Sequence, residues 1–243
     1  MRLLTDKEYL GLTVPFMLST MTQPLMGAVN TAVMGQLPDP KYIAAVSLGA
    51  ILFNNLYWLF GFLRVSTTGY AAQAFGAADK RLGLLAFFKP LVLALLISFF
   101  CIVLQNPIVD LYLGMIGAAP EVNQLCRSYY YILIWGAPLV LFNYVALGWL
   151  MGQTRVRASV FMQVSMNVLN MFLSVWFVFW LHMDITGVAL ATLLSQLYGG
   201  LLGALLMYIY GDFDYGRLPW GELLDWRTFV GMLQVNANLM IRT

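Results

Sequence analysis

Six stretches of this chain are each apolar over the roughly 20 residues that a helix, rising about 1.5 Å per residue, needs to cross a bilayer. The run Leu91–Leu104 passes through Leu, Val, Ala, Ile, Phe and Cys with Ser98 as its single hydroxyl, so it is apolar on every side. A transmembrane β-strand would instead alternate apolar and polar residues over about 10 positions. Charged residues make up only 10% of the 243, against about 25% in soluble domains. The sequence therefore predicts an all-α, polytopic membrane protein whose first partner is the lipid bilayer. A net charge of +2 gives no basis for a nucleic-acid partner.

Turn signals divide the chain into spans at about 9–37, 43–75, 84–113, 121–151, 158–181 and 185–210. Pro38-Asp39-Pro40 closes the first, because prolines cannot continue a helix. Gly76–Arg81, Gly114–Pro120, Gly152–Arg157 and His182–Asp184 supply the next breaks, and Pro138 is expected to kink the fourth span. Residues 1–211 form an N-terminal six-helix lobe on this reading. Residues 212–226 read as a cytoplasmic linker, and 227–243 as the start of a seventh helix that stops short of spanning. Arg2, Lys7, Lys80, Arg81, Lys89, Arg155, Arg157, Arg217 and Arg227 fall on one side, against Lys41 and Arg127 on the other. Basic residues accumulate in cytoplasmic loops, which places the N-terminus in the cytoplasm. The opening Arg2, Asp6, Lys7 and Glu8 lead into a stretch too long for a signal peptide.

Function must come from polar groups set where lipid makes them costly, because such groups face a bundle interior or a cavity. Gln163, Asn167, Asn170 and Ser174 recur every three or four residues and share one face of the fifth span. Thr20, Gln23, Gly27 and Asn30 form a second stripe in the first span, and Thr192, Ser195, Gln196 and Gly199 a third in the sixth. Asn54, Asn55 and Trp58 add a polar patch to the second. The stripes read either as a polar cavity between helices or as interhelical contacts alone. Gly199 and Gly203 have the GxxxG spacing of close helix packing. Pro15 and Pro138 free backbone carbonyls and permit bending.

All eleven acids lie in loops or at span ends. Arg64 either snorkels to the cytoplasmic interface or pairs with the polar end of another helix. Cys101 and Cys126 lack the spacing of a disulfide framework or metal site, and His182 is the only histidine. No nucleophile and base are paired at membrane depth, so an enzyme is not expected.

VNTAVMGQL (Val29–Leu37), RVSTTGYAAQAFGA (Arg64–Ala77), LGWLMG (Leu147–Gly152), NVLNMFLSVWFV (Asn167–Val178) and GVALAT (Gly187–Thr192) together resemble the multidrug and toxic compound extrusion (MATE) family, particularly its DinF-like branch. The resemblance implies two six-helix lobes enclosing a cavity that opens alternately to each side of a bacterial inner membrane. It further implies efflux of organic cations or amphipathic compounds in exchange for H+ or Na+, with no other cofactor. The second lobe would lie in the full-length chain or in a separate copy. Pro15 matches the family's bending proline, Asn170 a cavity asparagine, and Thr192 a threonine of the same network, with Gln23 lining that face. Asn30 and Ser174 stand where the family has aspartates, and Asn238 where an acid is common. Neutral side chains cannot exchange protons near pH 7, which leaves proton coupling through this lobe unsupported. The alternative is a non-transporting membrane scaffold or inactive half-transporter.

Overall fold

The computed structural model describes residues 6–211, apart from the side chains of residues 6–16 and 18–20. The expected linker, the seventh-helix start with Asn238, and the side chains of Pro15 and Thr20 lie outside the described residues. The described chain is helical throughout and contains no strand. Its helices are α1 (Asp6–Met34), α2 (Lys41–Trp58), α3 (Phe62–Gly76), α4 (Lys80–Val103), α5 (Gln105–Ile116), α6 (Pro120–Leu133), α7 (Ala137–Gly152), α8 (Val156–Phe179) and α9 (Ile185–Tyr210). Among the described residues, five units are long and apolar enough to cross a membrane: Lys41–Gly76, Lys80–Val103, Pro120–Gly152, Val156–Phe179 and Ile185–Tyr210. The 29-residue α1 lies along α8 as a further long helix.

Three of the expected spans are broken, the second and third where no interruption was expected and the fourth next to Pro138, where a kink was. Between α2 and α3, Leu59 and Gly61 have ψ of −30° and −24°, the 3₁₀ range. Phe60 N–H donates to Tyr57 O and Gly61 N–H to Trp58 O, both at 3.0 Å, so the chain tightens around a weak helix former. Leu104, at φ −92° and ψ 16°, separates α4 from α5. Pro107 explains this break, since its ring displaces the carbonyl four residues earlier. A 3₁₀ turn at Ile134–Gly136 divides α6 from α7, one turn ahead of Pro138 and by the same cause.

Loop chemistry fixes the other ends. Asp79 caps α4 by accepting from Arg81 N at 2.8 Å and Leu82 N at 3.1 Å. Gly117 closes α5 with φ +65°, a left-handed conformation that glycine adopts without strain. At this same end of the bundle, Lys41 pairs with Asp39 at 2.9 Å and Glu121 at 3.4 Å, and Arg127 with Asp110 at 2.6 Å. Donation from the Lys41 backbone N–H and its ammonium holds the Asp39 carboxyl below the usual range. Lys80, Arg81, Arg155 and Arg157 lie at the opposite, basic end.

Two apolar cores fill the bundle. One gathers Leu52, Phe53, Val109, Tyr130, Ile134 and Val188 from α2, α5, α6, α9 and the 3₁₀ turn. The other gathers Leu63, Phe87, Leu141, Val145, Trp149 and Met162 from α3, α4, α7 and α8. In the second core α7 meets α3 almost backbone to backbone. A Cβ on Gly148 would stand 2.5 Å from the Arg64 carbonyl oxygen, and one on Gly152 2.5 Å from that of Thr68. Met166 fills the space a Cβ on Gly199 would need, and Met162 and Ala146 close over Gly203.

Gly148→Ala should therefore push α3 away and lower stability by about 1–3 kcal/mol, read as a lower Tm in detergent. Gly69→Ala, with open space around it, should be neutral or stabilising by up to about 1 kcal/mol. Asp79→Ala should cost about 0.5–2 kcal/mol through the lost cap, measured in the same melt.

Candidate functional site: a buried polar chain across α1, α8 and α9

Asn170 lies near the middle of α8, and its carboxamide is used at both ends. Its Oδ1 accepts from Asn30 Nδ2 of α1 at 3.1 Å, and its Nδ2 donates to Thr192 Oγ1 of α9 at 2.9 Å. Thr192 in turn donates to the Val188 carbonyl at 2.9 Å, which leaves a lone pair free to accept from Asn170. A second rung joins α1 and α8, where Asn167 Nδ2 donates to Thr22 Oγ1 at 2.7 Å. Asn30, Asn167, Asn170 and Ser174 are all buried.

Two oxygens in this region have no hydrogen-bond partner: Asn30 Oδ1 and Ser174 Oγ, the latter one helical turn beyond Asn170. Buried polar atoms are nearly always satisfied, so both oxygens have capacity for a further partner. Amide and hydroxyl oxygens can receive a cation or a polar substrate group by ion–dipole contact. They cannot take up a proton near pH 7. Among the described residues, no cluster of three or more His, Cys, Asp or Glu could hold a metal ion.

The structure thus brings together Asn30, Asn170 and Thr192 in one hydrogen-bonded set, with Asn167 in a separate rung to Thr22 and Ser174 one turn along α8. Gln163 shares the α8 face, is half-buried, and stands apart from that set. Gln196 belongs to a different pair: its Oε1 and backbone oxygen accept from Asn143 Nδ2 at 2.8 and 3.1 Å. Ser195 donates to Ala191 O within α9. Gln23, Asn54, Asn55 and Trp58 are exposed on the outside of the described bundle. Pro138 follows the α6–α7 break, and α1 remains helical through Pro15. The Arg64 guanidinium reaches the Met151 thioether at 3.4 Å, close to the basic end of α7.

Sequence reasoning missed Asn143 and Thr22. Asn143 ties α7 to α9 and is 2% exposed, yet it has no polar neighbour at helical spacing. Its signal was that of a lone carboxamide inside an apolar run.

The MatE family model matches residues 15–176. DNA damage-inducible protein F of Escherichia coli K12 is 39% identical over 242 residues, covering 98% of this chain and 52% of that protein. Multidrug export protein MepA of Staphylococcus aureus is 24% identical over 208 residues, covering 84% of this chain and 44% of MepA. A MOP superfamily transporter from Pyrococcus furiosus superposes with a TM-score of 0.80 at 27% identity, covering 93% of this chain and 50% of that one. An outward-facing multidrug resistance MATE family transporter gives 0.78 at 26% identity, covering 91% and 49%. The chain spans about half the length of the curated relatives it matches. With its family match, its similarity to DNA damage-inducible protein F and its membrane-length helices, the chain belongs to the MatE family of multi-pass membrane transporters.

Proposed function

We propose that this chain supplies one six-helix lobe of a secondary active multidrug efflux transporter in the bacterial inner membrane, with its basic end and N-terminus in the cytoplasm. Organic cations or amphipathic compounds leave by alternating access, in exchange for H+ or Na+. A second six-helix lobe, from the same chain or a separate copy, completes the cavity. The observation that carries this reading is the buried, wholly neutral seat formed by Asn30, Asn170, Ser174 and Thr192, with two oxygens left open. The exposed Gln23, Asn54 and Trp58 supply polar and aromatic contacts on the face that a second lobe would cover.

Of the two ions, the donor set favours Na+. A neutral seat binds a hard cation such as Na+ through oxygen dipoles and has no group to protonate. The scaffold reading draws on that same lack of a carboxylate.

Purified protein in liposomes should bind and move an organic-cation dye against a Na+ or pH gradient; neither binding nor movement would overturn the proposal. Asn170→Ala removes two interhelical hydrogen bonds, each worth about 0.6–2 kcal/mol. Dye transport should fall by about 3- to 30-fold if one such contact is expressed in binding. Binding by the wild type should be flat between pH 5 and 8. Asn30→Asp combined with Ser174→Asp should introduce a pH dependence there, since desolvation raises a buried carboxyl. Cation binding then rises with pH as the carboxylates ionise. No pH-linked efflux from that variant, even with a second lobe supplied, would favour the scaffold.

A further inference from the structure

The three broken spans break at one level. Arg127 with Asp110 and Tyr131 with Asn106 set α5 and α6 side by side in a single antiparallel register. That register puts Leu104 opposite Leu133, the last residue of α6. Phe53 stacks on Tyr130 with ring centroids 5.3 Å apart, which brings the Leu59–Gly61 turn down beside the Ile134–Gly136 turn. The tier lies between the two apolar cores.

Two further orphaned oxygens sit at this tier. The hydroxyls of Tyr57 and Tyr130 are buried and have no hydrogen-bond partner. Each belongs to the last turn of its helix before a break, Tyr57 in α2 and Tyr130 in α6. The same phenyl ring supports both, since Phe53 also stacks on Tyr57 at 5.6 Å. Cys101, in the last turn of α4, belongs to the same core as Phe53 and Tyr130, against which Tyr57 packs. Two phenols and a thiol from three helices thus share one tier of that core. An internal water needs about 2 to 4 polar partners, and that trio provides them. Waters are also one means by which a broken intramembrane helix satisfies the backbone groups it frees.

We propose that Tyr57 and Tyr130 hold internal water between α2, α4 and α6, so that the tier of breaks is a hydrated hinge plane between the two cores. The ligand is water because the donors are neutral, small in number and free of any carboxylate that would select a cation. The site is separate from the Asn30–Asn170–Thr192 chain and stands whether or not that chain binds an ion.

Radiolytic labelling of the membrane-embedded protein in ¹⁸O-water, read by mass spectrometry, tests this directly, because side chains touching bound water are oxidised first. Tyr57 and Tyr130 should label about an order of magnitude faster than Phe87, which is buried in the other core. Tyr57→Phe should slow labelling of Tyr130 several-fold by removing one of the water's partners. Labelling of both tyrosines at the Phe87 rate overturns the proposal, as does labelling of Tyr130 that is indifferent to Tyr57→Phe. If the variant does not fold, the wild-type comparison with Phe87 decides alone.

Discussion

A carboxamide that gives its oxygen to one helix and its nitrogen to another cannot be replaced by solvent when the surroundings are lipid. Asn170 is in that position between α1 and α9, and the placement of α1 leans on it. Apolar attraction does not draw transmembrane helices together, since lipid tails are as apolar as leucine. What orders the bundle is close packing where glycine permits it and hydrogen bonding where amides demand it. The α3–α7 contact at Gly148 and Gly152 is of the first kind. The Thr22–Asn167 and Asn30–Asn170 rungs are of the second.

Much of the bundle was legible in the sequence because membrane-length apolar runs leave few alternatives. The polar breaks at Gly152–Arg157 and His182–Asp184 and the glycine at 211 lie within about two residues of the ends of α8 and α9. Broken spans were harder to see. Pro107 was overlooked as a break although Gln105 and Asn106 precede it, and Leu59–Gly61 carries no proline at all; only Gly61, a weak helix former, marks its 3₁₀ turn. Periodicity recovered Asn167, Asn170 and Ser174 on one buried face. It also drew in Gln163, which shares the face without joining the hydrogen bonds, because spacing records direction and not depth. Gln23 and Asn54 are polar and intramembrane, yet the described bundle leaves them uncovered. Asn143 escaped because period-based reading needs at least two polar residues to register a face.

The neutral seat bears on how a lobe of this family can work. A carboxylate in that place would link binding to pH, and the neutral Asn30 and Ser174 carry no such titration. In the proposed function, selection among cations rests on their size and on the field of these oxygens, and occupancy follows the concentration of an ion rather than of protons. Asn30 belongs to α1, so the seat includes the helix that Asn170 holds in place.

The separation of the two apolar cores has a consequence for how the lobe tolerates change. Most of each core packs within its own layer, and the two are joined at the tier of breaks and through α4, α8 and α9, each of which gives side chains to both. A substitution that loosens Leu141 or Trp149 therefore strains its own layer first, while Phe53 and Ile134 keep their neighbours.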